Sequence, residues 1–197
     1  MEKSWYNLNI DISNALHKDW VFPDLKKSHV FFANTEKLFN LEWVSYIESL
    51  GIFLGNRHLI FFKKSSMQEN TAHIDLGSEN YTIPFALNWA IGVNGSKIYW
   101  YKEKTKGTEI KKQNIWGTPE HKKLFTIFWK LSDLEKIDVC ELKSSLVLVR
   151  VDIPHNVLLG DEDRWSISVR LNYHKLDIHT WENAVNFLTN KNLLILS

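Results

Sequence analysis

Long hydrophobic runs are missing from this chain of 197 residues: LGIFLG and LVLV are far too short to cross a bilayer, and the N-terminal MEKSWYNLNIDISN carries no apolar signal-peptide core. A transmembrane helix is excluded on this reading, and a soluble, cytoplasmic protein is expected. Cysteine is almost absent as well. Cys140 stands alone and cannot close an internal disulfide, so no oxidising compartment is called for. Charge of one sign is not in excess: 24 Lys and Arg face 23 Asp and Glu, and the formal net charge of +1 provides no whole-molecule field to gather nucleic acid or an anionic membrane. The four prolines are scattered, and there is no repeat, low-complexity tract or Pro/Gly/Ser-rich linker. Residues 1–197 therefore read as one domain.

What the chain does have is a globular composition, 44% hydrophobic and 13% aromatic, enough for a substantial core at this length. In TEKLFNLEWVSYIESL, residues 35–50, the apolar residues Leu38, Leu41, Val44, Ile47 and Leu50 fall on one helical face, with Gly51 just past the end. That spacing predicts a helix packed outside a sheet. Beyond it the pattern changes to short β-branched and aromatic segments, RHLIFFKK, AHIDLG, TIPFALNWAIG, SKIYWYKE, SSLVLVRVDI and RWSISVRL, separated by turn-like NGS, KGT and LGDED. HKKLFTIFWKLSDLEK, residues 121–136, fits either a short helix or a loop, and WENAVNFLTN, 181–190, reads as a C-terminal helix. The expected architecture is mainly β with flanking α-helices, a double-sheet jelly roll. It has an N-terminal helical part over about 1–56 and an insert or lid over about 102–145.

Within AHIDLG, strand alternation puts His73 and Asp75 on one face and Ile74 on the other. A His-x-Asp alone decides nothing, since His17-Lys18-Asp19 has the same spacing. A non-haem Fe(II) centre that activates oxygen needs two imidazoles and one carboxylate on one side of the metal. His155 has the best setting for the second imidazole, at the end of an apolar strand and directly after Pro154; His58, His121, His174 and His179 have no matching context. Nine residues on, across a turn at Gly160 and Asp161 read as a tight hairpin, Arg164 and Ser166 share a strand face while Trp165 and Ile167 take the other. A buried guanidinium beside a hydroxyl suits a carboxylate, which arginine holds through two parallel charge-assisted hydrogen bonds. The bland reading of Arg164 is a solvated partner of Glu162 or Asp163.

The order HID at 73–75, PHNV at 154–157 and RWS at 164–166 resembles that of the Fe(II)- and 2-oxoglutarate-dependent dioxygenases, which are double-stranded β-helix (cupin-like jelly-roll) proteins. The resemblance extends over roughly residues 57–171. PFALNWAIG followed by SKIYWY is similar to the central strands of the branch with aspartyl/asparaginyl and proline hydroxylases. It implies that His73, Asp75 and His155 hold Fe(II), and that the cosubstrate 2-oxoglutarate chelates the metal with its far carboxylate on Arg164 and Ser166. Oxidative decarboxylation to succinate and CO2 would be coupled to hydroxylation of an amino acid, a peptide side chain or another small molecule. Asn88 and Tyr101 are candidate contacts to 2-oxoglutarate, and Trp89 and Trp100 are candidate pocket walls.

Arg170 falls on the same face as Arg164, Ser166 and Ser168, and is the alternative anchor for the cosubstrate carboxylate. Two arginines at this interval also occur in nucleic-acid-dealkylating oxygenases, but the intervening serines and the near-neutral charge argue against nucleic acid here. The basic run KEKTKGTEIKK, 102–112, reads as a solvated loop or a substrate lid. Two rival functions stay open: a cupin-like metalloenzyme that does not use 2-oxoglutarate, and a non-catalytic jelly-roll binding or structural protein. The sequence leaves the substrate and the oligomeric state open.

Overall fold

Alternation with a period of two builds most of this molecule. The computed structural model describes residues 3–65, 70–78, 81–82, 84–91, 95–104, 111–116 and 124–195. Its elements, in chain order, are β1 (Trp5–Leu8), β2 (His29–Asn34), α1 (Thr35–Leu38), α2 (Leu41–Ser49), β3 (Arg57–Lys63), β4 (Thr71–Ser78), β5 (Tyr81–Thr82), β6 (Phe85–Ile91) and β7 (Lys97–Glu103). They continue with β8 (Lys111–Trp116), β9 (Leu124–Lys130), a 3-10 turn (Leu131–Asp133), β10 (Leu134–Glu141), β11 (Leu146–Arg150), β12 (His155–Leu158), β13 (Arg164–Val169), α3 (Tyr173–Leu176), α4 (Trp181–Asn190) and β14 (Leu194–Ile195). The protein is mainly β, with a few short helices.

The strands form two antiparallel sheets packed as a sandwich. The first runs in the order β14-β1-β11-β6-β13-β3-β2, and the second in the order β10-β7-β12-β4-β9-β8, with β5 paired to β4. Over two stretches the chain switches sheets strand by strand: β3 in the first, β4 in the second, β6 in the first and β7 in the second, and again β10 in the second, β11 in the first, β12 in the second and β13 in the first.

Side chains sort into layers accordingly. Ile60, Leu87, Trp89, Leu148, Ile167 and Val169 of the first sheet pack with Trp43 and Ile47 of α2 and with Trp181, Ala184 and Leu188 of α4. That is the helix-covered face. The opposite faces of the same strands contribute Ala86, Ala90, Val147 and Val149, which meet Ile98, Trp100 and Cys140 of the second sheet. This is the inter-sheet layer. A third cluster, Ala72, Tyr101, Trp129 and Leu134, lies on the outer face of the second sheet. Burying such large side chains contributes roughly 1.5–3 kcal/mol each, so the three layers fix which face every strand residue occupies.

Several expectations are corrected. The first 56 residues are not only helical, since β1 pairs with β11 and β2 with β3 at opposite ends of the first sheet. The helix expected over 35–50 is broken: Asn40 is extended (φ −65°, ψ 131°), and its side chain accepts from the Glu42 backbone N–H at 2.9 Å, starting α2 anew. Residues 121–136 are mainly strand where described: LFTIFWK forms β9 by pairing with β4, and the 3-10 turn at Leu131–Asp133 leads into β10. The region 102–145 likewise carries strands. β9 pairs with β4, the strand that bears His73 and Asp75, and β8 pairs with β9. Residues 105–110 and 117–123, on which part of the lid expectation falls, lie outside the described residues. The C-terminal helix has the expected bounds, with Thr180 Oγ1 accepting from the Asn183 N–H at 3.1 Å. Among the described residues no helix is long and apolar enough to cross a membrane.

Candidate metal centre

His73 and Asp75 share a face of β4 because they are two residues apart on a strand. The second imidazole arrives from β12, where His155 is the register partner of His73 on one side and of Trp100 on the other. Directly opposed residues in an antiparallel pair point the same way, with Cβ atoms about 4.5–5.5 Å apart. The two rings accordingly lie 4.6 Å apart between centroids. Candidate ligand atoms of His73, Asp75 and His155 all lie within 4.8 Å of one another, and His73 Nε2 is 3.7 Å from Asp75 Oδ1. Among the described residues no other group of three His, Cys, Asp or Glu donors converges in this way.

The donor set suits a metal. His155 Nδ1 lies 3.0 Å from the Ile153 carbonyl oxygen. If that nitrogen carries the proton and donates it, Nε2 keeps its lone pair for a cation, as in most metal-bound histidines. His155 is buried, whereas the side chains of His73 and Asp75 are 22% and 29% exposed, so the site is walled on one side and reachable on the other. Trp100, fully buried, provides part of the wall beside His155, and its indole N–H donates to the Arg150 carbonyl at 2.7 Å. The backbone of Asp75 is pinned as well, its N–H donating to the Val151 carbonyl at 2.9 Å. Both bonds tie the triad to one end of the first sheet, the end of Arg150 and Val151.

Arg164 and Ser166 lie across the sandwich from the triad. The turn after β12 is not a hairpin: β12 pairs within the second sheet and β13 within the first, so the chain crosses between sheets over residues 159–163. Ile167 and Val169 belong to the helix-covered face, which leaves Arg164, Ser166 and Ser168 on the inter-sheet face. Arg164 is 4% exposed and is not a solvated partner of its acidic neighbour. Asp163 instead accepts from Lys64 Nζ at 2.6 Å and from the Ser65 N–H at 3.0 Å. These bonds hold the carboxyl of Asp163 below its usual range.

Asn88 also faces the inter-sheet layer, as the register partner of Ser168 and Val147, and is half-buried. Tyr101 does not. It sits on the face of β7 opposite Trp100, in the outer cluster, where its hydroxyl donates to Asn156 Oδ1 at 2.9 Å. Trp89 likewise packs on the helix-covered face. His17 and Asp19 make a local contact, the Asp19 N–H donating to His17 Nδ1 at 3.2 Å, and His121 lies outside the described residues.

Two features had no signal in the sequence. One is the Ile153 carbonyl, a group that any residue supplies. The other is Lys63, the register partner of Arg164 on β3, which adds a second positive charge at that end of the layer and follows only from the strand pairing. Arg170 is held from behind: its backbone N–H donates to His58 Nδ1 at 3.0 Å, while His58 Nε2 lies 2.9 Å from Thr35 Oγ1, which itself donates to the Gly55 carbonyl. His58 is therefore a neutral, fully buried structural residue. Burial, with Arg170 nearby, lowers its pKa to about 4.

Searches against protein-family models, curated proteins and solved structures find no match to this chain.

Proposed function

We propose that this protein is an Fe(II)- and 2-oxoglutarate-dependent oxygenase on a jelly-roll scaffold that hydroxylates an amino acid, a peptide side chain or another small molecule. The observation that carries the proposal is the convergence of two imidazoles and one carboxylate from β4 and β12 within 4.8 Å. That donor set matches the facial arrangement of non-haem Fe(II) oxygenases, which leaves positions open for other ligands. The strand orders β11-β6-β13-β3 and β10-β7-β12-β4, with the chain alternating between sheets on either side of the β7-β10 pair, support the jelly-roll reading.

His73, Asp75 and His155 would hold the metal, and Arg164 and Ser166 would take the far carboxylate of the cosubstrate. When bound, iron and 2-oxoglutarate supply the oxidising chemistry that the side chains of the chain lack. The chain's own part is ligation, orientation and exclusion of water. His155 is turned by the Ile153 carbonyl, Asp75 is pinned through its backbone to Val151, and Trp100 closes the wall beside them. Arg164 offers a planar fork from a buried position on the facing sheet, a geometry that a lysine does not reproduce.

Melting the protein with Mn(II) and 2-oxoglutarate, together and apart, tests the reading, since Mn(II) is an oxygen-inert stand-in for Fe(II). A ligand specific to the folded state adds roughly 2.7 kcal/mol at a hundredfold excess over Kd. The upward shift should be large with both and much smaller with 2-oxoglutarate alone. A protein that binds Mn(II) without responding to 2-oxoglutarate would be a cupin-like metalloenzyme of another kind, and one that binds neither would be a non-catalytic module.

A further inference from the structure

The inter-sheet face of β13 has a second cationic position that the cosubstrate anchor does not use. Arg170 follows Val169 and precedes Leu171, both of which pack on the helix-covered face, so Arg170 lies on the inter-sheet side with Arg164. The two are six positions apart, roughly 20 Å along the backbone at about 3.3 Å per residue. Val169 pairs with Leu87, next to Ala86 and Phe85, and Phe85 pairs with Arg150. Arg150 and Val151 are the residues whose carbonyls accept from Trp100 Nε1 and the Asp75 N–H. Arg170 is therefore the nearer of the two to the triad.

Two buried polar atoms in this layer have no hydrogen-bond partner: Nη1 of Arg170 and Oδ1 of Asn88. Asn88 is opposite Ser168, one strand over and two positions along from Arg170, a diagonal of about 7–8 Å between backbones. A buried donor or acceptor without a partner is destabilising, and native interiors seldom leave such groups unpaired. One is a cationic donor and the other an acceptor, so a ligand that satisfies both presents an anionic oxygen and an N–H or O–H a few bonds away.

We infer that Arg170 and Asn88 form the recognition subsite for the substrate to be oxidised, and that this substrate is a carboxylic acid carrying a nearby hydrogen-bond donor, as an amino acid or its N-acyl derivative does. The inference rests on the oxygenase reading and deepens it. Arg170 binds the substrate carboxylate on the side nearer the triad, Asn88 Oδ1 accepts from its N–H, and the cosubstrate keeps Arg164. The His58 acceptor behind Arg170 fixes the backbone from which the guanidinium projects, which makes Arg170 a specificity residue on a rigid mount.

The test titrates a panel of free and N-acetylated amino acids, each as the acid and as its C-terminal methylamide, into the full chain loaded with Mn(II) and saturated with 2-oxoglutarate under anaerobic conditions. At least one acid should bind saturably, with its methylamide at least about tenfold weaker. Arg170→Gln should erase that preference, Arg170→Lys should recover part of it, and Asn88→Ala should weaken the acid by about fivefold, all without changing 2-oxoglutarate affinity more than about twofold. Arg170→Lys also retains the charge and the N–H that His58 accepts, which guards against a folding failure in the Gln variant. The inference is overturned if no acid binds, if methylamides bind as tightly as acids, or if Arg170→Gln weakens 2-oxoglutarate as much as Arg164→Ala does. Failure of the wild type to bind Mn(II) or 2-oxoglutarate before any titrant is added overturns the oxygenase reading itself.

Discussion

Acidifying the protein tests the mount behind Arg170 in energetic terms. His58 is fully buried and neutral, with a pKa lowered to about 4 against an ordinary value of 6.5, chiefly by burial and secondarily by the positive charge of Arg170. The unfolded chain therefore takes up this proton first as the pH falls. The stability linked to His58 is fully present above about pH 6.5 and is lost progressively down to about pH 4. A gap of about 2.5 between the two values, at about 1.4 kcal/mol each, comes to about 3.5 kcal/mol, of which about 2.5 kcal/mol is lost between about pH 7.5 and about pH 4.5. Protonation would also remove the Nδ1 acceptor of the Arg170 N–H and loosen the start of the segment after β13. Urea unfolding of the wild type and of His58→Asn at the two pH values isolates this contribution, because Asn keeps an acceptor near Nδ1 and does not titrate. The wild type should lose about 2.5 kcal/mol more than the variant between the two conditions. Equal losses in both proteins would refute a neutral, buried His58.

Three further outcomes follow from the site and its surroundings. His155→Ala should lower Mn(II) affinity by more than about a hundredfold while leaving the far-ultraviolet circular dichroism spectrum unchanged, and retained metal binding would remove His155 from the triad. Arg164→Ala should abolish most of the melting shift that 2-oxoglutarate gives in the presence of Mn(II), and Arg164→Lys should restore only part of it, whereas equal shifts in all three proteins would remove Arg164 from cosubstrate binding. Cys140 is fully buried in the inter-sheet layer, and burial together with Asp138 pushes its thiol up to about 12. It should be inert to a thiol reagent in the native protein and react once the chain is unfolded in denaturant.

Short-range features of this protein were legible from the residues alone. A strand turns successive side chains to opposite faces whatever its neighbours are, so HID puts His73 and Asp75 together and RWS puts Arg164 and Ser166 together. The helix at 181–190 was also legible, because a Thr cap and an apolar stripe act within one or two turns of backbone. The same locality misled at 35–50, where a helical apolar spacing hid the extended Asn40, and at 121–136, where a strand with apolar residues on both faces was read as helix or loop.

Partnership between distant segments was decided only in the tertiary structure. Nothing local in PHNV says that His155 pairs with His73 rather than with another strand, and nothing in LGDED says that the turn crosses between sheets instead of closing a hairpin. Tyr101 shows the cost of guessing a face: one residue along from Trp100, it points to the outer cluster. Register is set by which apolar faces can be buried together, and a slip of one residue would turn every side chain of a strand to the wrong layer. That choice depends on all the layers at once, so the residues capable of binding a metal were visible in the sequence, and their convergence came from the pairing of β12 with β4 inside the second sheet.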